Sequence, residues 1–286
     1  MDEQLRAVPG MTTERERECL REAAAMAQGR GQLVDLGSFM GSLTLGLGLG
    51  LAQSPASADP SIRIHAYDRF VWESWMTDWW IANGRENSYD DGESFLPEFN
   101  RQVAPCLDRV VVYAGDLCDY PWTGGPIEIL SVDAMKDWHT TKHIATEYFP
   151  ALVPGGLYFQ QDFAHFYTSW IHLIHYRLRD FWELVEDVEW SAGVLFRLTK
   201  PMSRDFVASQ FPLESATPDE VDAAFRYTAS LVSEQKRGPV LAAHAMHYLH
   251  TGGLQRAFAL AEELSISAYR DNGDVVAVIQ EVKRQL

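Results

Sequence analysis

Five short β-rich runs, each closing on or next to an acidic residue, do most to limit the fold of this chain. They are QLVDLG (32–37), SIRIHAYD (61–68), RVVVYAGD (109–116), IEILSVDA (127–134) and GGLYFQQD (155–162). The stretches between them have helical period or loop character, the alternation expected of a parallel sheet covered by helices. Near residue 184 the pattern changes to ELVEDVEW, SAG and VLFRLTK, two strands joined by a tight connection and hence antiparallel. The prediction is an α/β fold with a mainly parallel seven-stranded sheet and an antiparallel last strand closing its edge. Residues 12–28 are predicted as a helix capped by Thr12 or Thr13 and ended by Gly29. After Pro201 the sequence turns to three or four amphipathic helices. The expected domains are therefore residues 1–200, carrying an aromatic-rich insertion at 70–100, and a helical C-terminal extension at 201–286.

In an open α/β sheet the ligand binds beyond the carboxyl ends of the strands, so the turn after the first strand is the place to look. Two glycine patterns compete there, DLGSFMG (35–41) and LGLGLGL (45–51). A dinucleotide fingerprint at Gly46 and Gly48 would have to follow a strand directly and be completed by a small residue at position 51, which is leucine. The turn is therefore assigned to DLGSFMG. The later glycines become part of the following helix, where Gly46 and Gly50 are expected to let it approach the sheet closely.

The run DLGSFMGSLT resembles motif I of class I S-adenosylmethionine-dependent methyltransferases, in the variant found in catechol, caffeoyl-CoA and macrolide-sugar O-methyltransferases. The resemblance covers roughly residues 30–200 and implies the Rossmann-like fold of that class. It implies S-adenosylmethionine as cofactor, held by Asp35, Gly37, Ser38 and Gly41, with Asp35 ordering the loop around the ammonium group. It also implies that Asp68 takes the ribose hydroxyls and that Asp116 and Leu117 lie near adenine. The resemblance further implies that Asp133 borders the cofactor.

Methyl transfer is an in-line displacement, so the protein must align an acceptor and remove its proton. In SVDAMKDWHTTKH (131–143), Asp133 followed by Lys136 is similar to the catechol O-methyltransferase pattern, in which the Asp binds a divalent ion and the Lys acts as base. Asp162 matches the second metal carboxylate of those enzymes. Two carboxylates with substrate oxygens and water would suit Mg²⁺. The relatives follow the second Asp with Asn or Asp, whereas Phe163 stands here, which leaves the place open to Gln161 or His165, or leaves the site without metal. Without metal His139 is the better base, because imidazole titrates near neutral pH. Gln161, His165 and Trp72 are the substrate candidates.

Six further histidines are given no part in the chemistry: His143, which packs or is solvated, the pair His172 and His175 at the edge of a buried helix face, and His244, His247 and His250, which drift around a helix with no adjacent carboxylates and are assigned to packing. With 40 acidic against 24 basic residues, a net charge of −16 and no basic patch, nucleic acid and anionic membranes are not expected as partners. Three cysteines without metal spacing fit a reducing cytoplasmic setting, and neither a signal peptide nor a membrane helix is expected. The expected partner is a small-molecule acceptor bearing a hydroxyl, of the specialised-metabolite or sugar kind, and the C-terminal helices offer a surface for homo-oligomers. Two competing functions are a non-catalytic cofactor-binding module and an NAD-dependent oxidoreductase using the later glycines.

Overall fold

The computed structural model describes residues 3–82, 84–86 and 89–285. The outermost positions of the two expected domains, Met1, Asp2 and Leu286, and three positions of the insertion, Asn83, Asn87 and Ser88, lie outside the described residues. Seven strands form one sheet in the order β3-β2-β1-β4-β5-β7-β6. The strands are β1 (Gln32–Leu36), β2 (Ile64–Asp68), β3 (Val110–Ala114), β4 (Ile127–Val132), β5 (Leu152–Gln160), β6 (Trp182–Asp187) and β7 (Val194–Leu198). Each coincides with a β-rich run read from the sequence. β1, β2 and β3 pair in parallel, with Leu33 opposite Ile64 and His65 opposite Val111. β7 is antiparallel to both β5 and β6. The antiparallel last strand is thus present, but it is inserted between β5 and β6 and the edge is β6. A tight connection from β6 to β7 puts the two side by side without deciding which of them meets β5.

Contacts divide the chain into two compact units, Met1–Ser131 and Val132–Leu286. In the first, α1 (Glu3–Ala7) precedes α2 (Glu14–Ala25), which opens with a capping box. The Thr13 hydroxyl accepts from the Glu16 amide and the Glu16 carboxylate from the Thr13 amide, a pairing worth about 1 kcal/mol. Helix α3 (Ser42–Leu51) follows β1, while α4 (Ser74–Ala82) and α5 (Leu96–Gln102) belong to the aromatic insertion. The glycines of α3 do serve close packing, but chiefly against another helix. A Cβ on Gly50 would stand 2.2 Å from the Arg21 carbonyl oxygen of α2, and one on Gly46 would stand 3.0 Å from that of Arg17. Gly48 faces the Cys106 sulfur, with Ile64 of β2 farther off.

The second unit contains α6 (Trp138–Tyr148), α7 (Ser169–Arg177) and α8 (Arg204–Ala208), followed by α9 (Pro218–Leu231), α10 (Glu234–His250), α11 (Leu254–Ser265) and α12 (Gly273–Arg284). The helices after Pro201 fall in the same compact unit as β5, β6 and β7. Buried Lys236 fixes α10 to the β6–β7 hairpin, reaching the Asp187 carboxylate at 2.5 Å and donating to the Gly193 carbonyl at 2.7 Å. His172 and His175 are fully buried rather than at the edge of their helix face. They pack around Phe163 and Phe196, and burial holds both imidazoles neutral with pKa values of about 3. His244 has the carboxylate partner that its own helix lacks: Asp222 of α9 lies 2.9 Å from its Nε2.

Candidate active site

In the first unit the turn after β1 is tied to the end of β2. The amides of Gly37 and Ser38 donate to the Tyr67 carbonyl at 2.9 and 3.0 Å. The Asp68 carboxylate accepts from the Phe39 amide at 2.9 Å through Oδ2 and from the Phe70 amide at 2.7 Å through Oδ1. Gly41 has a φ of 88°, and a Cβ there would lie 2.6 Å from Val103 Cγ1, so only glycine fits between the turn and α5. Asp116, at the exposed end of β3, caps the short turn begun by Leu117 by accepting from the Cys118 amide at 2.9 Å. Beside it Tyr67 and Tyr113 stack with ring centroids 4.2 Å apart, and Tyr120 meets both edge-on.

Asp35 has a different place from the one expected. It is completely buried, and its Oδ2 accepts from the Thr44 hydroxyl of α3 at 2.5 Å. Its Oδ1 makes no hydrogen bond of normal geometry, with the Ser131 hydroxyl beside it. Burial raises its pKa to about 6 against the opposing effect of the Thr44, Ser131 and Ser38 hydroxyls. Asp35 orders the loop from below, through α3. Ser38 turns its hydroxyl back to the Asp35 carbonyl at 3.1 Å.

Trp72, expected against a substrate, is fully buried. Its indole donates to Thr77 at 2.9 Å, and its rings pack on Trp80, Tyr89 and Phe95. It is a packing residue whose size, in an aromatic insertion, suggested a binding role that its burial removes. The insertion instead braces the turn after β1, since Phe39 meets Trp79 and Phe95 edge-on.

In the second unit the residues after β4 and β5 form one charged cluster. The Lys136 ammonium lies 2.5 Å from Asp133 Oδ1 and is also in ion-pair contact with Asp162 Oδ2. Turned so that its nitrogen rather than its oxygen faces the two acids, the Gln161 amide can donate to Asp133 Oδ1 at 2.8 Å, Asp133 Oδ2 at 3.1 Å and Asp162 Oδ1 at 3.3 Å. Burial works to lower the Lys136 pKa, but the two carboxylates outweigh it and hold the ammonium above lysine's ordinary value. The loop bearing Lys136 is fastened by a residue that no local pattern marks out. Trp170 of α7 donates its indole N–H to the Met135 carbonyl at 2.7 Å and packs edge-on against Trp138.

His139 is exposed in the first turn of α6, which Asp137 caps through the Thr140 amide. His165 accepts from the Tyr167 amide at 3.2 Å and stacks on Phe166. His143 packs edge-on against Tyr148.

The donor set does not fit a divalent ion. Asp133 and Asp162 already share a lysine cation, and Phe163 is fully buried among His172, His175 and Phe196. Among the described residues no group of three or more His, Cys, Asp or Glu side chains is placed to hold a metal. The residues assigned from the sequence to the methionine, ribose and adenine parts of S-adenosylmethionine, namely the glycine turn, Asp68 and Asp116, all lie in the first unit.

No family profile matches the chain, and no curated protein matches it. Among solved structures the O-methyltransferase NovP is similar over 67% of this chain and 82% of its own, with a TM-score of 0.52 at 20% identity. The S-adenosylmethionine-dependent methyltransferase SibL in its apo form is similar over 69% and 65%, with a TM-score of 0.37 at 15% identity. YjhP from E. coli is similar over 99% and 89%, with a TM-score of 0.35 at 14% identity. Of these three, the likeness to NovP defines the fold: this chain has the Rossmann-like fold of a class I methyltransferase. No described helix is long and apolar enough to cross a membrane.

Proposed function

We propose that this protein is an S-adenosylmethionine-dependent O-methyltransferase acting on a small molecule through a hydroxyl group. The observation that carries the reading is the joint between the Phe39 amide and Asp68, which sets a glycine-bearing turn against the acid that ends β2. Asp68 keeps lone pairs for a vicinal diol while its backbone bonds hold it in place. In this reading Gly37 and Gly41 give the backbone close approach to the methionine end of the cofactor. Asp116 and Leu117, with Tyr113 and Tyr120 beside them, receive the adenine.

S-adenosylmethionine supplies a methyl group on a sulfonium; transfer breaks the S–CH₃ bond, forms an O–CH₃ bond and releases the acceptor's proton. Lys136 is tied as an ammonium by two carboxylates and holds its proton. We therefore assign the acceptor's proton to His139, and to Lys136 the task of presenting a fixed positive charge to the acceptor oxygen. Asp133 and Asp162 position that charge. Gln161 and His165, on the loop after β5, are assigned to acceptor contact.

Thermal shift and calorimetry with S-adenosylmethionine, S-adenosylhomocysteine and NAD test the cofactor. Stabilisation by the first two is expected, and stabilisation by NAD alone would overturn the reading. A non-catalytic binding module is separated from an enzyme by Lys136→Met in a methyl-transfer assay with hydroxylated acceptors. The enzyme loses turnover and keeps cofactor affinity.

A further inference from the structure

We propose that Lys136 takes the place of a divalent cation, so that the site works without bound metal and accepts a molecule presenting a single hydroxyl rather than a chelating pair of oxygens. The word acceptor rests on the methyltransferase reading, whereas the replacement of metal by lysine rests on the geometry of the charged cluster. Asp133 and Asp162 are the two carboxylates that would ligate a metal, and one ammonium pairs with both of them. A divalent ion between them would have to draw at least one of the two carboxylates away from the Lys136 ammonium.

The other neighbours act in the same direction. Turned with its nitrogen toward the acids, the Gln161 amide can donate to both, and in that orientation its N–H satisfies a carboxylate while offering no electron pair to a metal. Position 163, next in the chain after Asp162, holds a phenylalanine packed into the core with no exposed surface. Two carboxylates against one ammonium leave the cluster with a net charge of about −1, which does not favour an acceptor arriving as an oxyanion. A neutral hydroxyl suits it better, since the oxygen can accept the remaining Lys136 N–H while its proton leaves during transfer. A metal centre can draw a vicinal pair of oxygens into its coordination shell; a lysine N–H addresses one.

The test is a titration of the full chain with Mn²⁺, read from the electron paramagnetic resonance signal of the free ion, which disappears on binding. Asp133→Asn identifies binding at this cluster, with Asp162→Asn in its place if the first variant fails to fold by circular dichroism. The expected result is that the wild-type protein shows no binding up to about 1 mM that the Asn variant removes. The double variant Gln161→Asp with Lys136→Met supplies a third carboxylate and withdraws the ammonium, and should bind Mn²⁺ roughly tenfold tighter or better. A saturable wild-type site that Asp133→Asn abolishes overturns the proposal, and a folded double variant that gains no binding counts against lysine as the obstacle. Both readouts are independent of methyl transfer. Failure to bind S-adenosylmethionine would remove the functional reading and leave the metal result standing.

Discussion

The Phe39 amide donates to the Asp68 carboxylate at 2.9 Å, so the turn after β1 and the end of β2 behave as one piece. Asp68→Ala removes the acceptor for both Phe39 and Phe70 and leaves two backbone donors to find water. A loss of about 1–3 kcal/mol in stability is expected from unfolding curves. Calorimetry should show a fall of roughly tenfold or more in S-adenosylmethionine affinity, with Asp68→Asn intermediate because it retains one acceptor oxygen.

Glycine-to-alanine changes in helix α3 should run against helix propensity. In an exposed helix the change stabilises by about 1 kcal/mol. Gly50→Ala instead drives a methyl into the Arg21 carbonyl, 2.2 Å from the new atom, and should cost about 1–3 kcal/mol in chemical denaturation. Gly48→Ala meets the Cys106 Sγ at 2.3 Å and its Cβ at 2.5 Å, so adding Cys106→Ala should restore only part of the loss and adding Cys106→Gly should restore more of it. No such rescue exists for Gly50, whose neighbour is backbone.

Asp35 makes the first unit's stability depend on pH in a particular direction. Its folded pKa of about 6 lies above the ordinary 3.8 because the charged form is buried. Its contribution is therefore fully present below pH 3.8 and is lost as pH rises through 6. Relative to Asp35→Asn, the wild-type protein should gain up to about 3 kcal/mol between pH 7 and pH 4. Thermal melts of both proteins across that range would refute the assignment if the difference stayed flat.

His172 works in the opposite sense. Burial, with smaller effects from His175 and His244, lowers its pKa from 6.5 to about 3, so its contribution is complete above pH 6.5 and lost as pH falls toward 3. Neither ring nitrogen has a hydrogen-bond partner. His172→Phe keeps an aromatic ring beside Phe163 and Phe225 and removes two orphaned polar atoms. It should raise the melting temperature at neutral pH, and the gap should widen in acid.

Lys136→Met should reduce methyl transfer by about 10²-fold or more while leaving S-adenosylmethionine affinity within a few-fold, because the proposed role of the missing charge is to face the acceptor oxygen. His139→Ala should lower turnover most steeply on the acidic side of the pH profile, where little free base replaces it. Steady-state kinetics of the two variants across pH separate the roles. Equal losses with the same pH shape would merge them.

The strands were legible because each is a short apolar run punctuated by an acid and a turn, and that periodicity is local. The order of β6 and β7 was not legible, since a hairpin records only which two strands are neighbours. Asp35 and Trp72 were misplaced for a common reason: residue type suggested a contact with ligand, and burial, a property of the assembled chain, decided otherwise. Asp133, Lys136, Gln161 and Asp162 were each singled out in the sequence. That the lysine joins both acids depends on two loops 26 positions apart, which no spacing rule reports. Trp170 carries no local signal at all, because its partner is a carbonyl on another loop.

The glycines at 46, 48 and 50 leave helix α3 with little of its own to hold it together, and their bare faces lie against α2 and Cys106. The turn after β1, to which the cofactor is assigned, is therefore only as firm as a helix some twenty residues upstream of it. Removing the segment through Ala25 would strip away the surface on which α3 is built while touching none of the residues assigned to the ligand. The shortened protein should lose its hold on S-adenosylmethionine, although every motif by which that site is recognised would still be present in its sequence.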